Sequence, residues 1–504
     1  MKLLSPAISR LARLRLRLIE LWTSQPVAAQ REVLQELVTA AQYTEFGRRY
    51  KFNHLFSLKT FKQTVPVHEY DDLKPYIQRM MNGEENILWN TPIEWFAKSS
   101  GTTSDKSKFI PVSEEALEEC HFKGGKDLLS IYCNNNPDSQ IFSGKVLGLG
   151  GSITVDDEHA ETFHGDVSAI IMENLPYWVE LIRTPEISVA LMNEWESKIE
   201  RIALITKDED VTNISGVPSW TLLLLKRILE ITGKKNIGEV WPNLELFIHG
   251  GVNFSPYHEQ FSKIAPAGMK YLETYNASEG FFGIQDLNTP GEMLLMLDYG
   301  IFYEFMPLSE YDVLTDKTVS LDKVETGVNY ALVISTNAGL WRYIIGDTIQ
   351  FTSLDPYRIR ITGRTTSFIN ACGEELIIDN AEKAIATACE KASATITDYT
   401  AAPVYFNDHT NAAHEWLIEF ATPPESLDYF AEILDNALKA LNSDYEAKRY
   451  HNMILRQPII KQLPAGTFYR WLKERGKLGG QNKVPRLSND RKYLDDIKEL
   501  AGIL

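Results

Sequence analysis

Short apolar runs closed by glycine recur through the middle of this chain, and they limit what it can become. Lys145 to Leu149 runs into Gly150-Gly151, Leu244 to Ile248 into His249-Gly250-Gly251, and Met269 to Tyr275 into Asn276-Ala277-Ser278-Glu279-Gly280. Brief apolar runs ending at a turn residue read as buried strands. Between them Trp220 to Ile231 reads as a strongly apolar internal helix. Glu292 to Leu297 and Phe302 to Met306 read as a strand pair, and Tyr330 to Ser335 and Trp341 to Ile345 flank a turn at Asn337 to Gly339. Strand and helix in alternation predict an α/β domain, with antiparallel pairing in its second half.

The two ends have other textures. Residues 1 to about 50 read as helices divided at Pro6 and Pro26, with Leu11, Leu14, Leu18 and Leu21 at helical spacing as a docking face. Arg13, Arg15 and Arg17 also fit a targeting or membrane-surface helix, but they interrupt any spanning run. Val167 to Leu181 reads either as a core helix or, through Met172, Leu175, Tyr177 and Trp178, as the lining of an apolar pocket. Beyond Ile359 to Ile361 come a helix from about Asn380 to Lys391, strands at Pro403 to Phe406 and Trp416 to Phe420, and an amphipathic helix marked by Leu427, Phe430, Leu434, Leu438 and Leu441. At 504 residues one core is not enough. We divide the chain into a large domain, 1–364, and a small α+β domain, 365–504.

A net charge of −17 disfavours nucleic acid as a partner but leaves room for a local basic pocket. Cys120, Cys133, Cys372 and Cys389 are widely spaced with no Cys-x-x-Cys, which fits a reducing, cytoplasmic setting and cysteines buried as small apolar groups.

The chemistry is concentrated in polar punctuation. Ser99-Ser100-Gly101-Thr102-Thr103-Ser104-Asp105-Lys106-Ser107-Lys108 follows one apolar segment and precedes Phe109-Ile110-Pro111. Small side chains admit a polyanion close to the backbone, hydroxyls and N–H groups donate to phosphate oxygens, and lysine neutralises charge. No Walker-type Gly-x-x-x-x-Gly-Lys-Ser/Thr occurs in the chain. Taken alone, such a run is as well explained as a surface loop.

Downstream features argue for nucleotide. Gly250 and Gly251 beside a strand end allow a flat purine against backbone. Tyr275 offers an aromatic face within Tyr275-Asn276-Ala277-Ser278. Glu279 is a hard oxygen ligand suited to Mg²⁺. Asp347 can accept from both ribose hydroxyls. Arg364 and Lys483 can stabilise charge developing on a transferring phosphate. Each has an ordinary alternative: a turn for Gly346-Asp347, a helix start for Ser278-Glu279, a surface ion pair for Arg342, a solvated lysine for Lys483, a satisfied structural histidine for His249. The cluster Asp156, Asp157, Glu158, His159, Glu161 and His164 has no metal-ligand spacing and reads as a solvated acidic loop.

In order and separation these elements resemble the auxin-responsive promoter family of acyl acid amido synthetases, within the adenylate-forming superfamily. Phe96 to Ser113 is similar to its phosphate loop, Tyr275 to Glu279 to its Tyr-x-x-x-Glu element, Gly339 to Asp347 to its Tyr-Arg-x-Gly-Asp element, and Gln481 to Arg486 to the segment with its C-terminal lysine. Thr44 to Tyr50 and Val65 to Gly83 extend the likeness over nearly the whole chain. Asn276 stands where many relatives have a small residue, and Ile345 where plant members usually have Val; both point to a bacterial-type branch. The resemblance implies ATP and Mg²⁺, a small carboxylic acid adenylated at the α-phosphate, and an amine, typically an amino acid, as acceptor. Ser99 to Ser104 and Lys106 would hold the β- and γ-phosphates, Glu279 the metal, Asp347 the ribose, and Arg364 the ribose or phosphate. Lys483 would reach the α-phosphate when a mobile C-terminal domain closes. A CoA ligase, a kinase-like phosphotransferase and a non-catalytic nucleotide-binding module are the alternatives.

Overall fold

The computed structural model describes residues 5–55, 57–99, 108–151, 153–155, 162–251, 254–311, 313, 315–365, 368–369, 371, 374, 376–404, 412–442, 445–446, 449, 455–478, 483–488 and 491–503. The chain forms two compact units. The larger comprises Met1–Phe254, Gln260–Ile345 and Ile349–Arg360; the smaller comprises Ser255–Glu259, Gly346–Thr348 and Ile361–Leu504.

An 11-stranded sheet organises the larger unit, in the order Ile301–Pro307, Asn329–Thr336, Tyr343–Leu354, Tyr357–Arg364, Met293–Leu295, Gly280–Ile284, Lys270–Ala277, Leu246–Gly250, Val211–Gly216, Lys145–Gly148, Arg183–Thr184. The last five strands run parallel to one another; the pairs on the other side of Lys270–Ala277 are antiparallel where their register is described. The apolar runs explain the parallel half: Leu246 and Phe247 are fully buried, as strands covered on both faces require. The helix Pro218–Thr232 begins with proline in its first turn and stops at Gly233, whose φ of +67° is left-handed. It buries Leu222, Leu224, Leu225 and Ile228.

A second, four-stranded sheet orders Lys108–Val112, Trp95–Ser99, Phe163–Gly165 and Ile153–Val155. The smaller unit has a three-stranded sheet, Thr395–Val404, Ala413–Thr422 and Ile459–Leu463, with its own core. The helices Ile378–Lys391 and Leu427–Leu441 contribute Ala384, Ile385, Phe430 and Leu434 to that core.

Four expectations need correction. Met293–Leu295 and Ile301–Pro307 are both strands but not partners: the first pairs with Gly280–Ile284 and Tyr357–Arg364, the second with Asn329–Thr336. Pro6 lies in the first turn of a continuous helix, Ser5–Ser24, where its missing N–H costs nothing; the break falls only at Pro26. Leu18 and Leu21 of that helix are exposed, and Ile19 and Trp22 are buried instead. The neighbouring Arg15 explains the rotation, because its guanidinium donates to Asp127 at 2.6 and 2.8 Å and to Asp298 at 3.0 Å. Finally, Val167–Leu181 is no single core helix: Val167–Glu173 is helical, then a 3₁₀ turn, Tyr177–Leu181, leaves Tyr177 and Trp178 exposed.

Candidate active site

Parallel strands deliver their carboxyl ends to one edge of a sheet, and in open α/β sheets ligands bind beyond that edge. Here the edge carries Gly148, Gly216, Gly250 and Ala277 as neighbouring strand ends. Gly250 lies beside Thr274 in parallel register, and a Cβ on it would stand 2.5 Å from the Thr274 carbonyl oxygen. Only glycine fits. Gly251 follows with φ +76° and is exposed, so the strand end is a bare backbone shelf. Gly250→Ala should force the two strand ends apart at about 1–3 kcal/mol. We expect thermal unfolding of the larger unit to register this as a drop of a few degrees.

Tyr275 to Glu279 turns the corner from Lys270–Ala277 into Gly280–Ile284. Tyr275 is only 4% exposed and packs against Phe282 at 4.8 Å, so much of its ring is given to the core rather than offered to a purine. Glu279 is half-buried in the turn itself. No group of three or more His, Cys, Asp or Glu side chains among the described residues forms a metal site. A single carboxylate nevertheless fits Mg²⁺ brought with nucleotide, because that ion keeps waters and takes most protein-side ligands from one or two carboxylates plus phosphate oxygens.

Ser99 pairs with Lys108 as the last described rung of two antiparallel strands. Ser100, Gly101, Thr102, Thr103, Ser104 and Lys106 lie outside the described residues, as do Asp156 to Glu161. Lys108 has no assigned role in the sequence reading, and the structure brings it forward. Its ammonium sits 5.5 Å from the Tyr70 ring centre and 5.9 Å from that of Tyr343, in cation–π range of both. Tyr70 also accepts the Phe109 N–H at 2.8 Å. The overlooked signal is the hydroxyl-to-apolar switch at Phe109, which makes Lys108 the last charged residue before the apolar segment.

The smaller unit brings together three predicted residues from distant parts of the chain. Gly346 adopts φ +92°, and its carbonyl accepts the Thr365 N–H at 2.8 Å. That clamp sets Arg364 Nε 3.1 Å from Asp347 Oδ1. Lys483 lies within the electrostatic reach of both. Burial first, and then the Arg364 charge, lower its pKa, while Asp347 raises it; the outcome is about 8. An ammonium so placed is a partly desolvated cation beside a carboxylate and a guanidinium, not a solvated surface lysine.

Two other residues depart from expectation. Arg342 is not a surface ion-pair member. It is fully buried at φ +44°, and its guanidinium donates to Glu304 at 2.8 and 2.9 Å, to Asp316 at 2.9 and 2.7 Å, to Thr318 Oγ1 and to the Val65 carbonyl. Its work is to hold the turn that precedes Gly346-Asp347. His249 is buried and stacked on Phe254 at 4.3 Å; burial pushes its pKa down to about 3, so it is neutral and no base. It is not fully satisfied, since Nδ1 has no hydrogen-bond partner among the described residues.

This geometry has counterparts in known proteins. The GH3 family N-terminal domain matches residues 15–269, its central domain residues 294–364 and its C-terminal domain residues 379–492. The chain belongs to the GH3 family. It is 25% identical to the indole-3-acetic acid-amido synthetase GH3.3 of Arabidopsis thaliana, over 94% of this chain and 91% of that protein. It is also 25% identical to the jasmonoyl–L-amino acid synthetase JAR6 of Nicotiana attenuata, over 91% and 90% of the two chains. The solved structure of an AtGH3.15 acyl acid amido synthetase in complex with 2,4-DB shares the fold, with a TM-score of 0.78 at 18% identity over 97% of this chain and 96% of that one. This GH3 chain is thus an adenylate-forming ligase of the acyl acid amido synthetase class, with the expected α/β architecture of a large N-terminal and a smaller C-terminal part. No helix among the described residues is long and apolar enough to cross a membrane.

Proposed function

We propose that this GH3 chain uses ATP and Mg²⁺ to adenylate a small carboxylic acid and then transfers the acyl group to an amino acid. The observation that carries the reading is the Asp347–Arg364–Lys483 cluster, three charged side chains drawn together in a chain of this family. A carboxylate is a poor acyl donor because its leaving group would be oxide. Attack by its oxygen on the α-phosphate, with loss of pyrophosphate, replaces oxide with AMP. The amine then forms the amide and AMP departs with the electron pair of the broken acyl–oxygen bond. Glu279 would hold Mg²⁺, which when bound would supply shielding of the phosphate charge. Asp347 accepts from the ribose hydroxyls, Arg364 and Lys483 stabilise charge at the α-phosphate, and the loop from Ser99 through Lys106 to Lys108 receives the departing pyrophosphate. Gly250, Gly251 and the backbone from Tyr275 to Ser278 form the purine shelf in this proposal, and Glu279 would hold the metal.

Residues 365–504 are the mobile lid in this proposal, and closure would carry Lys483 to the reacting atoms. The bacterial-type assignment rests on Asn276 and Ile345. A cytosolic setting is supported by Cys120, Cys133 and Cys389, all free thiols.

An acid library screened for ATP-dependent pyrophosphate release, followed by mass detection of products with amino acids and with CoA, tests the reading. Amides with AMP as nucleotide product support it; thioesters, ADP, or no release with any acid would refute it. Glu279→Gln should lower release at least 100-fold at fixed Mg²⁺, with partial recovery as Mg²⁺ is raised. Loss that no Mg²⁺ concentration relieves would argue against metal orientation by Glu279.

A further inference from the structure

One turn of π-helix, Leu117–Phe122, packs on the strand Gly280–Ile284. Cys120 Sγ accepts the Phe281 N–H at 3.2 Å, and Phe281 pairs with Asn276 across the hairpin. A π turn inserts an extra residue into a helix and re-aims the side chains beyond it, and such turns are frequent at functional sites. Here it sets the imidazole of His121 beside the side chain of Asn276. His121 is 5% exposed, and burial, only partly opposed by Asn276, pushes its pKa down to about 4; the ring is neutral, one nitrogen a donor and the other an acceptor.

The two side chains are hydrogen-bonded to each other, yet each is left incomplete. Neither His121 Nδ1 nor Asn276 Oδ1 stands in hydrogen-bonding geometry with a described group, although both atoms are buried. Leu117 and Phe122 of the same helical turn, and Tyr275 and Phe281 of the hairpin it packs on, belong to the apolar core. A buried polar atom without a partner costs about 1–3 kcal/mol. Two orphans side by side, on the element that turns into Glu279, mark a place where a ligand completes the bonding.

We infer that His121 and Asn276 are a specificity-determining pair, and that the acid adenylated by this chain carries a hydroxyl group which they bind. The inference rests on the adenylation reading above. The chemistry selects hydroxyl over other oxygen groups. Asn276 Oδ1 can only accept, so the ligand must donate to it; His121 with its proton on Nδ1 can donate in return to the same oxygen. A ketone or ether cannot serve Asn276, and an unsubstituted ring or alkyl chain serves neither. A site with buried hydrogen-bonding groups discriminates strongly against an analogue that leaves them unpaired.

The test is kcat/KM for pyrophosphate release with acid pairs that differ by one hydroxyl, benzoate against each hydroxybenzoate and aliphatic acids against their hydroxy counterparts. Wild-type enzyme should favour the hydroxylated member of at least one pair by roughly 100-fold or more. His121→Leu and Asn276→Leu should each lower that ratio at least tenfold, and the double variant little further, because both serve one group. His121→Gln, which keeps a donor, should restore part of the ratio. Using a ratio cancels losses from impaired folding or weaker nucleotide binding. A ratio unmoved by the substitutions, or a wild type indifferent to hydroxyl throughout, would mean that water completes the pair, and the inference would fall alone. No release with any acid would sink the adenylation reading and this inference together.

Discussion

Lys483→Ala should abolish acid-dependent ATP–pyrophosphate exchange, by at least roughly a thousandfold, or about 4 kcal/mol of lost transition-state stabilisation. The thermal midpoint should stay close to wild type, because Lys483 is half-buried and contributes charge rather than core. The pH profile is the sharper readout. With its pKa pushed down to about 8, the ammonium predominates below that value, so its stabilisation of phosphate charge is present there and lost as pH rises through it. The kcat/KM for exchange, which reports the free enzyme, should therefore fall on the alkaline side with an apparent pKa near 8. Lys483→Arg, which cannot deprotonate, should be slower but should lose that inflection. Exchange persisting in Lys483→Ala, or an inflection retained in Lys483→Arg, would remove Lys483 from the chemistry.

Arg342→Ala should be among the most destabilising single changes in the chain. It would strip Glu304, fully buried, and Asp316 of their bidentate partner, leaving only Lys62, 4.0 Å from Glu304; stripping one partner from a buried ion-paired network costs about 3–5 kcal/mol. Burial pushes the Asp316 carboxyl up, but the hydrogen bonds and charge of Arg342 outweigh it and hold the carboxyl below its ordinary range. The sign of that shift sets the pH dependence. The stabilisation is fully present above the unfolded-state pKa of Asp316 and is lost as pH falls through the lower folded value. Thermal unfolding at neutral pH should show the larger unit melting well below wild type, and Arg342→Lys should recover only part, since one ammonium cannot replace two bidentate grips. A midpoint within one or two degrees of wild type would show the network to be dispensable.

Lys483 and Arg342 are both legible as isolated cations in sequence motifs, and nothing local separates them. Burial does. The first lies within charge reach of one carboxylate and one guanidinium; the second has its guanidinium N–H groups donated to protein. Similarly, the helical spacing of Leu18 and Leu21 is real, yet Ile19 and Trp22 are the residues that dock, because Arg15 on their face finds Asp127 and Asp298.

What the amino-acid order determined by itself was local. Apolar runs closed by glycine became strands ending at Gly250 and Ala277, proline and glycine bounded the helix Pro218–Thr232, and the ordered motifs pointed to nucleotide chemistry. Those features depend on backbone sterics and short-range periodicity, which neighbouring residues carry. Strand partnership, the gathering of Asp347, Arg364 and Lys483, the tyrosine cage of Lys108 and the orphaned His121–Asn276 pair were decided only in three dimensions. Each depends on which distant segment excludes water from a polar group and which supplies its partner, and that balance of desolvation against pairing exists only in the packed chain.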